Sequence, residues 1–582
     1  MNDLNLLQRI LLPNLSIKAS DASYIRIHNA LMRYDDKKVC FNKWGSVDFS
    51  TYYNALSLNV WKRQCGLNEI TVMLKGMGNF TANFYYINEK TEKISIDSKS
   101  FNLGADKQSE VITLSLASLP DIGLLCFELV ALEEDAELVS GAWCTRQQPL
   151  RNVKLGITVT HFNRKAYVLP SIQRVKKELL DDPVYRERIS FTVVDNSQNI
   201  TQEEALGVNI IPNKNLGGSG GFMRGLLHYK NAGDYTHVLF MDDDASCEID
   251  SICRAYNILS YAIKDSTAVG GALLREDISH LLIEQGAYFD RVCIPLFHNA
   301  DIRYINILSE IEYTTRHSDY GAWWFFAFPL KHVKRWSFPF FVRGDDVLFG
   351  MKNDFHIITA NGIACYGEDF STKVSAMTRY LDSRSGLVNM LLHEEKPGNA
   401  IRAHINLTMA TLFSGQYQSV ECIRKSIYDV AKGKDFWLEN MDTAEIRRWI
   451  AGHSAEEKME PLDLRDYEYD IKNNDERPSR RWLRIVTLNG LLLPSNNKTI
   501  LQIKGARASL RQIFRYKNII YFDQKNGTGY VTTINRIRFF KSLFKLFKDC
   551  IYLQREFREM KELYTKDINY LTSREIWEDV YK

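Results

Sequence analysis

The stretch His237-Val-Leu-Phe-Met-Asp242-Asp243-Asp244, an apolar run closed by three consecutive carboxylates, constrains this chain most. Three like charges at a strand end repel one another unless a cation joins them. A hard divalent ion with oxygen ligands, Mn2+ or Mg2+, is the natural partner, and it would also carry a diphosphate. In extended chain Asp242 and Asp244 point to the same side, so both can serve one metal. The bland alternative is an acidic turn capping the next helix. Upstream, Leu155–Thr160, Ile189–Asn196 and Val208–Pro212 also read as strands, with helical periodicity from Lys165 to Glu178. Strands alternating with helices predict a parallel, doubly wound sheet, whose ligands sit beyond the carboxyl ends of its strands. Thr160, Phe162 and Arg164 at one strand end, and Asp195 and Asn196 at another, are candidates to hold a base and a ribose.

Between the third strand and the acids lies Asn215-Leu-Gly217-Gly218-Ser-Gly220-Gly221-Phe222. Four glycines let backbone N–H groups approach an anion closely, and a helix start beyond them favours negative charge. No Lys-Ser/Thr follows at P-loop spacing, and the first strand turn lacks the glycines of a dinucleotide fingerprint. The other reading is a flexible loop. Farther on, Gly321-Ala-Trp323-Trp324-Phe-Phe precedes Arg343-Gly-Asp345-Asp346. The tryptophans can wall an acceptor pocket, or belong to a core strand. Neighbouring carboxylates raise each other's pKa, which suits a general base, although Asp also caps helices well. Ala364-Cys-Tyr-Gly-Glu368-Asp369 offers a further metal or diphosphate ligand.

The flanks differ in character. Residues 1–150 carry period-two runs such as Val111-Ile-Thr-Leu-Ser-Leu, and predict a β-sandwich. Its Phe49, Tyr52, Tyr53 and Trp61 either bind sugar or pack as core. Residues 151–390 hold the sheet and the acids. Residues 391–582 read as helical, with a polar stretch at 455–480 and a basic, aromatic run, Arg536-Ile-Arg-Phe-Phe-Lys-Ser-Leu-Phe-Lys-Leu-Phe-Lys548. With Ile537, Phe540, Phe544 and Phe547 on one face and cations beside them, that run predicts either a helix lying on an anionic membrane surface or one packed within its own domain or on another subunit. Lys plus Arg is 74 and Asp plus Glu 71, so nothing drives the whole chain toward nucleic acid. The 10 cysteines include no C-x-x-C pair, which argues against a cysteine zinc site and for reduced thiols. The start lacks a basic, apolar leader, and no run reaches the roughly 18 apolar residues of a membrane span. A cytoplasmic protein is expected, with peripheral contact at the inner face of the plasma membrane.

Read together, Thr158-Val-Thr-His-Phe-Asn-Arg164, Val194-Asp-Asn196, Asn215 to Phe222, Met241-Asp-Asp-Asp244, Trp323-Trp324 and Asp345-Asp346 resemble the inverting family 2 glycosyltransferases of GT-A fold. The resemblance is closest to the bacterial galactofuranosyltransferases that build cell-surface galactan, and it covers about residues 40–390. It implies an N-terminal β-sandwich, a GT-A centre and a helical C-terminal region. It also implies transfer of galactofuranose from UDP-galactofuranose to a glycan or lipid-linked acceptor. By the same resemblance, Asp195 and the Thr160–Arg164 loop hold uridine, the glycine segment and the metal hold the diphosphate, and Asp243 binds the donor. Asp242 and Asp244 bind the metal, and Asp346, or else Asp345, deprotonates the acceptor. The family's usual metal-ligating His is absent, so Glu368 is the expected substitute. Other nucleotide-sugar donors carrying galactopyranose or rhamnose, a nucleotidyltransferase of related fold, and a non-catalytic carbohydrate-binding protein stand as alternatives. A homo-oligomer is compatible with the sequence.

Overall fold

The alternation beginning at Ile70 extends into a 19-residue strand, Glu69–Ile87. Strand twist does not let so long a strand keep the same neighbours throughout. Its first half pairs with Ser109–Ser115 and Ala136–Thr145, its second with Lys93–Leu103 and Leu124–Ala131, all antiparallel. The handover falls at two glycines. Gly78 has φ 114°, and a Cβ on Gly76 would lie 2.1 Å from the Glu137 carbonyl oxygen. With Asn5–Ile10, Arg26–Arg33 and Lys38–Asp48, these strands form an antiparallel β-sandwich. The structure, a computed structural model, describes residues 4–582 apart from 18, 105–108, 244, 245, 395 and 504, and the backbone alone at 371.

Phe49, Tyr52, Tyr53 and Trp61 are all buried. The Tyr53 hydroxyl meets that of Tyr366 at 2.8 Å, and the Tyr52 hydroxyl donates to Gln285 Oε1 at 3.3 Å. These rings therefore seal the sandwich against the central domain. The sugar-pocket alternative does not hold for them.

The central sheet has the order 209–212, 189–195, 155–161, 237–242, 325–329, 267–275, 356–367, 246–247. The four strands expected from the sequence are parallel. Past them the sheet is mixed, because Phe325–Pro329 runs antiparallel to both its neighbours. All five of its residues are buried, and an apolar run of that kind carries no mark of its direction.

The region after residue 390 is helical at both ends, with Ala376–His393 leading into it and Arg536–Leu571 and Arg574–Val580 ending it. Between them sits a four-stranded sheet of Glu460–Pro461, Thr528–Thr533, Tyr516–Asp523 and Asn496–Gln502, an addition to the expected helical region. Short runs such as Ile519-Ile-Tyr-Phe522 fit either period, so the sequence does not separate strand from helix there. The 36-residue helix Arg536–Leu571 is pinned by the fully buried Asp549, whose carboxylate accepts from Arg424 at 2.8 and 3.1 Å and from the Tyr428 hydroxyl at 2.9 Å.

Candidate active site

The parallel register sets the carboxyl ends of three strands side by side. Thr160 pairs with Val194 on one flank and Asp242 on the other, and His161 pairs with Asp195. The three successive acids do not act alike. Asp242 is exposed at its strand end. Asp243 turns inward, with His161 Nδ1 at 3.2 Å and the Arg164 guanidinium at 3.6 Å. Asp244 lies outside the described residues. Burial lowers the His161 pKa, but the hydrogen bonds to Asp243 and Asn199 outweigh it and the net shift is upward. Asp243, which the sequence places on the donor, thus also braces the strand-end loop.

Asp195, expected at the uridine, is likewise engaged with its own loop. Its buried carboxylate accepts four backbone N–H groups, those of Ser197, Gln198, Asn199 and Ile200, at 2.8–2.9 Å. That exhausts its lone-pair directions. It shapes the loop after its strand. Asn196 donates to the Gly217 carbonyl at 3.1 Å and accepts from Asn213 at 2.8 Å, tying this strand end to the glycine segment. Asn215 Oδ1 accepts the Gly217 N–H at 3.2 Å. Phe162 is 43% exposed at the strand end, and Arg164 lies 4.5 Å over the Tyr167 ring, so an aromatic face and a cation are presented there.

The glycine segment is not a loop. Gly217–Ala232 is one helix, and its glycines serve close packing. A Cβ on Gly221 would lie 2.2 Å from Thr160 Cγ2, and one on Gly225 2.2 Å from Thr158 Cγ2. The helix therefore lies directly on the first strand. Gly225→Ala is expected to push them apart and cost about 1–3 kcal/mol, the range for overpacking, as read by urea unfolding. At the helix N-terminus the Ser219 N–H donates to the Phe341 carbonyl at 3.0 Å, and the Ser219 hydroxyl donates to Asp345 Oδ2 at 3.0 Å. The Asp345 carboxylate thus lies at this helix start, where the helix dipole favours negative charge.

Phe341, Arg343 and Gly344 have φ of 73°, 74° and 83°. Two non-glycine residues in the left-handed region store strain, which the surroundings must hold. Arg384 does so by donating to the Phe340 carbonyl, and Gly344 sits where a Cβ would lie 2.7 Å from Ser385 Cβ. This turn delivers Asp345 and Asp346 to the start of the helix Asp345–Lys352. Burial raises both carboxyls above the ordinary range, and for Asp346 the Asp345 charge adds to it. Glu284 joins them: burial, then the Asp346 charge, pushes it up to about 8. Cys293 and Tyr320 feel the same Asp346 charge. Sequence reasoning missed Glu284, whose one signal is a lone acid in the apolar run Leu281-Leu-Ile-Glu284.

The paired tryptophans separate. Trp323 is 5% exposed, with its ring 5.2 Å from Phe222 and 5.1 Å from Phe240, so it belongs to the core and not to an acceptor wall. Trp324 is half-buried, donates to the Gly271 carbonyl at 2.9 Å and lies 5.9 Å from Phe370. Glu368 is taken up by two cations, Lys525 from the C-terminal sheet and Lys373 at 3.8 Å. Those pairs engage the residue that the sequence offers as a metal ligand. Among the described residues no three His, Cys, Asp or Glu side chains cluster to hold a metal. Asp242 is a hard oxygen donor at a strand end, which fits an ion held by one or two carboxylates, waters and a diphosphate, but not a closed protein cage.

A family model described as "Galactofuranosyltransferase 2 N-terminal" matches residues 7–146. The chain is 25% identical over 433 residues to the galactofuranosyltransferase GlfT2 of Mycobacterium tuberculosis, covering 68% of this chain and 67% of that protein. It is 23% identical over 431 residues to the GlfT2 of Mycolicibacterium smegmatis, covering 68% and 66%. The match thus spans about two thirds of each relative's length. Among solved structures, the mannosyltransferase PcManGT of Pyrobaculum calidifontis, in complex with GDP-Man and Mn2+, aligns at 14% identity and a TM-score of 0.29, covering 53% of this chain and 85% of that one. With its sandwich matched by the family model and its sandwich-plus-mixed-sheet order in place, this chain is a distant homologue of the GlfT2 galactofuranosyltransferases.

Proposed function

We propose that the chain is a metal-dependent, inverting glycosyltransferase that moves galactofuranose from UDP-galactofuranose to a hydroxyl of a cell-surface polysaccharide or lipid-linked glycan. The observation that carries this reading is Asp346: a carboxyl with a raised pKa, delivered by a strained turn, beside the helix that packs on the nucleotide-side strand. In the proposed step the acceptor oxygen attacks the anomeric carbon from the face opposite UDP. Its proton passes to Asp346, and the glycosidic C–O bond to the diphosphate breaks. Asp345, whose carboxylate accepts from the Ser219 hydroxyl, adds to the rise of its neighbour's pKa. Phe162 and Arg164 receive the base and the diphosphate side of the donor. Mn2+ or Mg2+, held by Asp242 and by the Asp244 expected from sequence, would neutralise the departing diphosphate.

The test is a panel of UDP- and dTDP-sugars with an oligo-galactofuranoside acceptor, read by product mass and UDP release. Growth of the acceptor by hexose with UDP-galactofuranose, stopped by EDTA, is the expected result. Product formed only from another donor would move the substrate assignment. UDP release with no glycosylated product would overturn transfer itself.

A further inference from the structure

The edge of the central sheet carries a pair of thiols that the catalytic reading does not use. Ser246–Cys247 is the edge strand, two residues long, and it runs antiparallel to His356–Gly367 with Cys247 directly opposite Cys365. Directly opposed residues of an antiparallel pair have Cα atoms about 4.5–5.5 Å apart, inside the span that a disulfide bridges. Their side chains leave the sheet on the same face. Both cysteines are free and buried, and the Cys365 thiol donates to the Trp324 carbonyl at 3.5 Å. A hydrogen bond from Cys365 lowers the Cys247 pKa against its burial, and the Arg174 charge adds to the lowering. Burial, then the same bond, raises Cys365. One sulfur leaning toward thiolate beside one that keeps its proton is the arrangement in which the first attacks an oxidant and the second resolves.

The surroundings fix where a bond between them would act. Cys365 lies in a strand held on both sides, by Cys247 on one and by Leu273 on the other. Past Cys247 the chain is held at two points. Arg174 donates to the Cys247 carbonyl at 2.7 Å, and the Tyr24 hydroxyl donates to Glu248 Oε1 at 2.6 Å. A disulfide of about 2.05 Å is shorter than any thiol–thiol hydrogen bond, so closing it draws the edge strand inward. The displacement is taken up back along the chain, toward Asp242 five positions earlier.

We infer that Cys247 and Cys365 are a redox-modification site, closing to a disulfide under peroxide and thereby weakening the hold of Asp242 on its metal. The Cys247 thiolate attacks a peroxide oxygen: an S–O bond forms, the O–O bond breaks, and the other oxygen leaves as water with the thiol proton. The Cys365 sulfur then attacks the sulfenic sulfur. The S–S bond forms, the S–O bond breaks, and the oxygen leaves as water with the Cys365 proton. The two thiols have given two electrons to hydrogen peroxide, and a dithiol reductant returns them. Opening of so short an edge strand is a local event of low cost, and it gives the peroxide its path to the sulfurs. A reversible bond of this kind is the one a reducing compartment tolerates. The disulfide itself does not depend on the catalytic reading; its effect on the metal rests on that reading.

The test treats the full chain with hydrogen peroxide, blocks the remaining thiols and maps peptides without reduction. A linked Cys247–Cys365 peptide that dithiothreitol removes is expected. Mn2+ affinity in the presence of UDP, by electron paramagnetic resonance, should then fall by about tenfold, as when a group supporting a metal ligand is disturbed. Amide exchange across residues 237–247 needs no metal and should slow in the disulfide form. Cys365→Ala should keep the transfer activity of the untreated protein and keep its Mn2+ affinity after peroxide. Cys247→Ser is the second probe if that variant melts early. Peroxide that leaves both thiols intact, or that oxidises other cysteines only, would overturn the site. A linked peptide with unchanged exchange and unchanged Mn2+ affinity would overturn its action on Asp242. A reduced protein that binds no Mn2+ would instead sink the metal reading, while the linked peptide and the exchange still decide this one.

Discussion

Asp346→Asn is expected to lower kcat by about 10²–10⁴-fold, the usual contribution of a positioned base, while UDP affinity stays near that of the wild type. Isothermal titration with UDP, beside steady-state transfer, separates the two. Retained kcat with weakened UDP binding would move Asp346 from the acceptor to the donor. The pH dependence follows from its environment. Burial and the Asp345 charge raise the Asp346 carboxyl, so the proton-accepting form is lost as pH falls through a value well above the usual carboxylate range. The acid limb of kcat/KM should therefore sit nearer neutrality than the roughly pH 4 of a free carboxylate. Stability carries the opposite sign. A carboxyl raised in the folded state binds its proton more tightly there than in the unfolded chain, so ionising it costs stability as pH rises through that window. Asp346→Asn should thus melt no lower than wild type at about pH 8, where the charge is greatest. A lower melting temperature at that pH would mean that the carboxylate makes a stabilising contact.

Asp242→Asn is expected to remove transfer almost completely, about 10³-fold or more, because several kcal/mol of Lewis-acid stabilisation depend on the metal. The fold should survive, since Asp242 lies exposed at the end of its strand. Mn2+ binding in the presence of UDP, followed by electron paramagnetic resonance, gives a readout separate from turnover. It should weaken in Asp242→Asn and hold in Glu368→Gln, because Glu368 is occupied by Lys373 and Lys525. Near-normal turnover of Asp242→Asn in excess EDTA would exclude a metal at this position. Loss of Mn2+ on replacing Glu368 would return that residue to the metal and make its lysine pairs a resting arrangement.

The strands ending in Thr160, Asp195 and Asp242 were legible in the sequence, because a parallel strand is a short apolar run and its polar end residues mark where a ligand can sit. The sandwich was legible through its period-two runs. In sequence the glycines of residues 217–221 suit an anion-binding loop, because open backbone for a ligand and open backbone for a strand call for the same residue. Only the position of Thr158 and Thr160 against the helix separates the two. Acids in succession look alike in sequence, yet Asp242 faces out while Asp243 turns to His161 and Arg164.

What the sequence determined by itself was the local physics: which segments are apolar with period two or with helical period, where they end, and which charges lie at those ends. Tertiary structure alone decided which of those groups remain available to a ligand. Asp195 spends its carboxylate on four N–H groups of its own loop, and Glu368 is held by a lysine 157 positions away. Asp346 acquires its raised pKa from the burial that the fold imposes, and then from the Asp345 charge beside it. Such roles depend on distances between residues far apart in the chain, and burial and charge act through space with no trace in local composition.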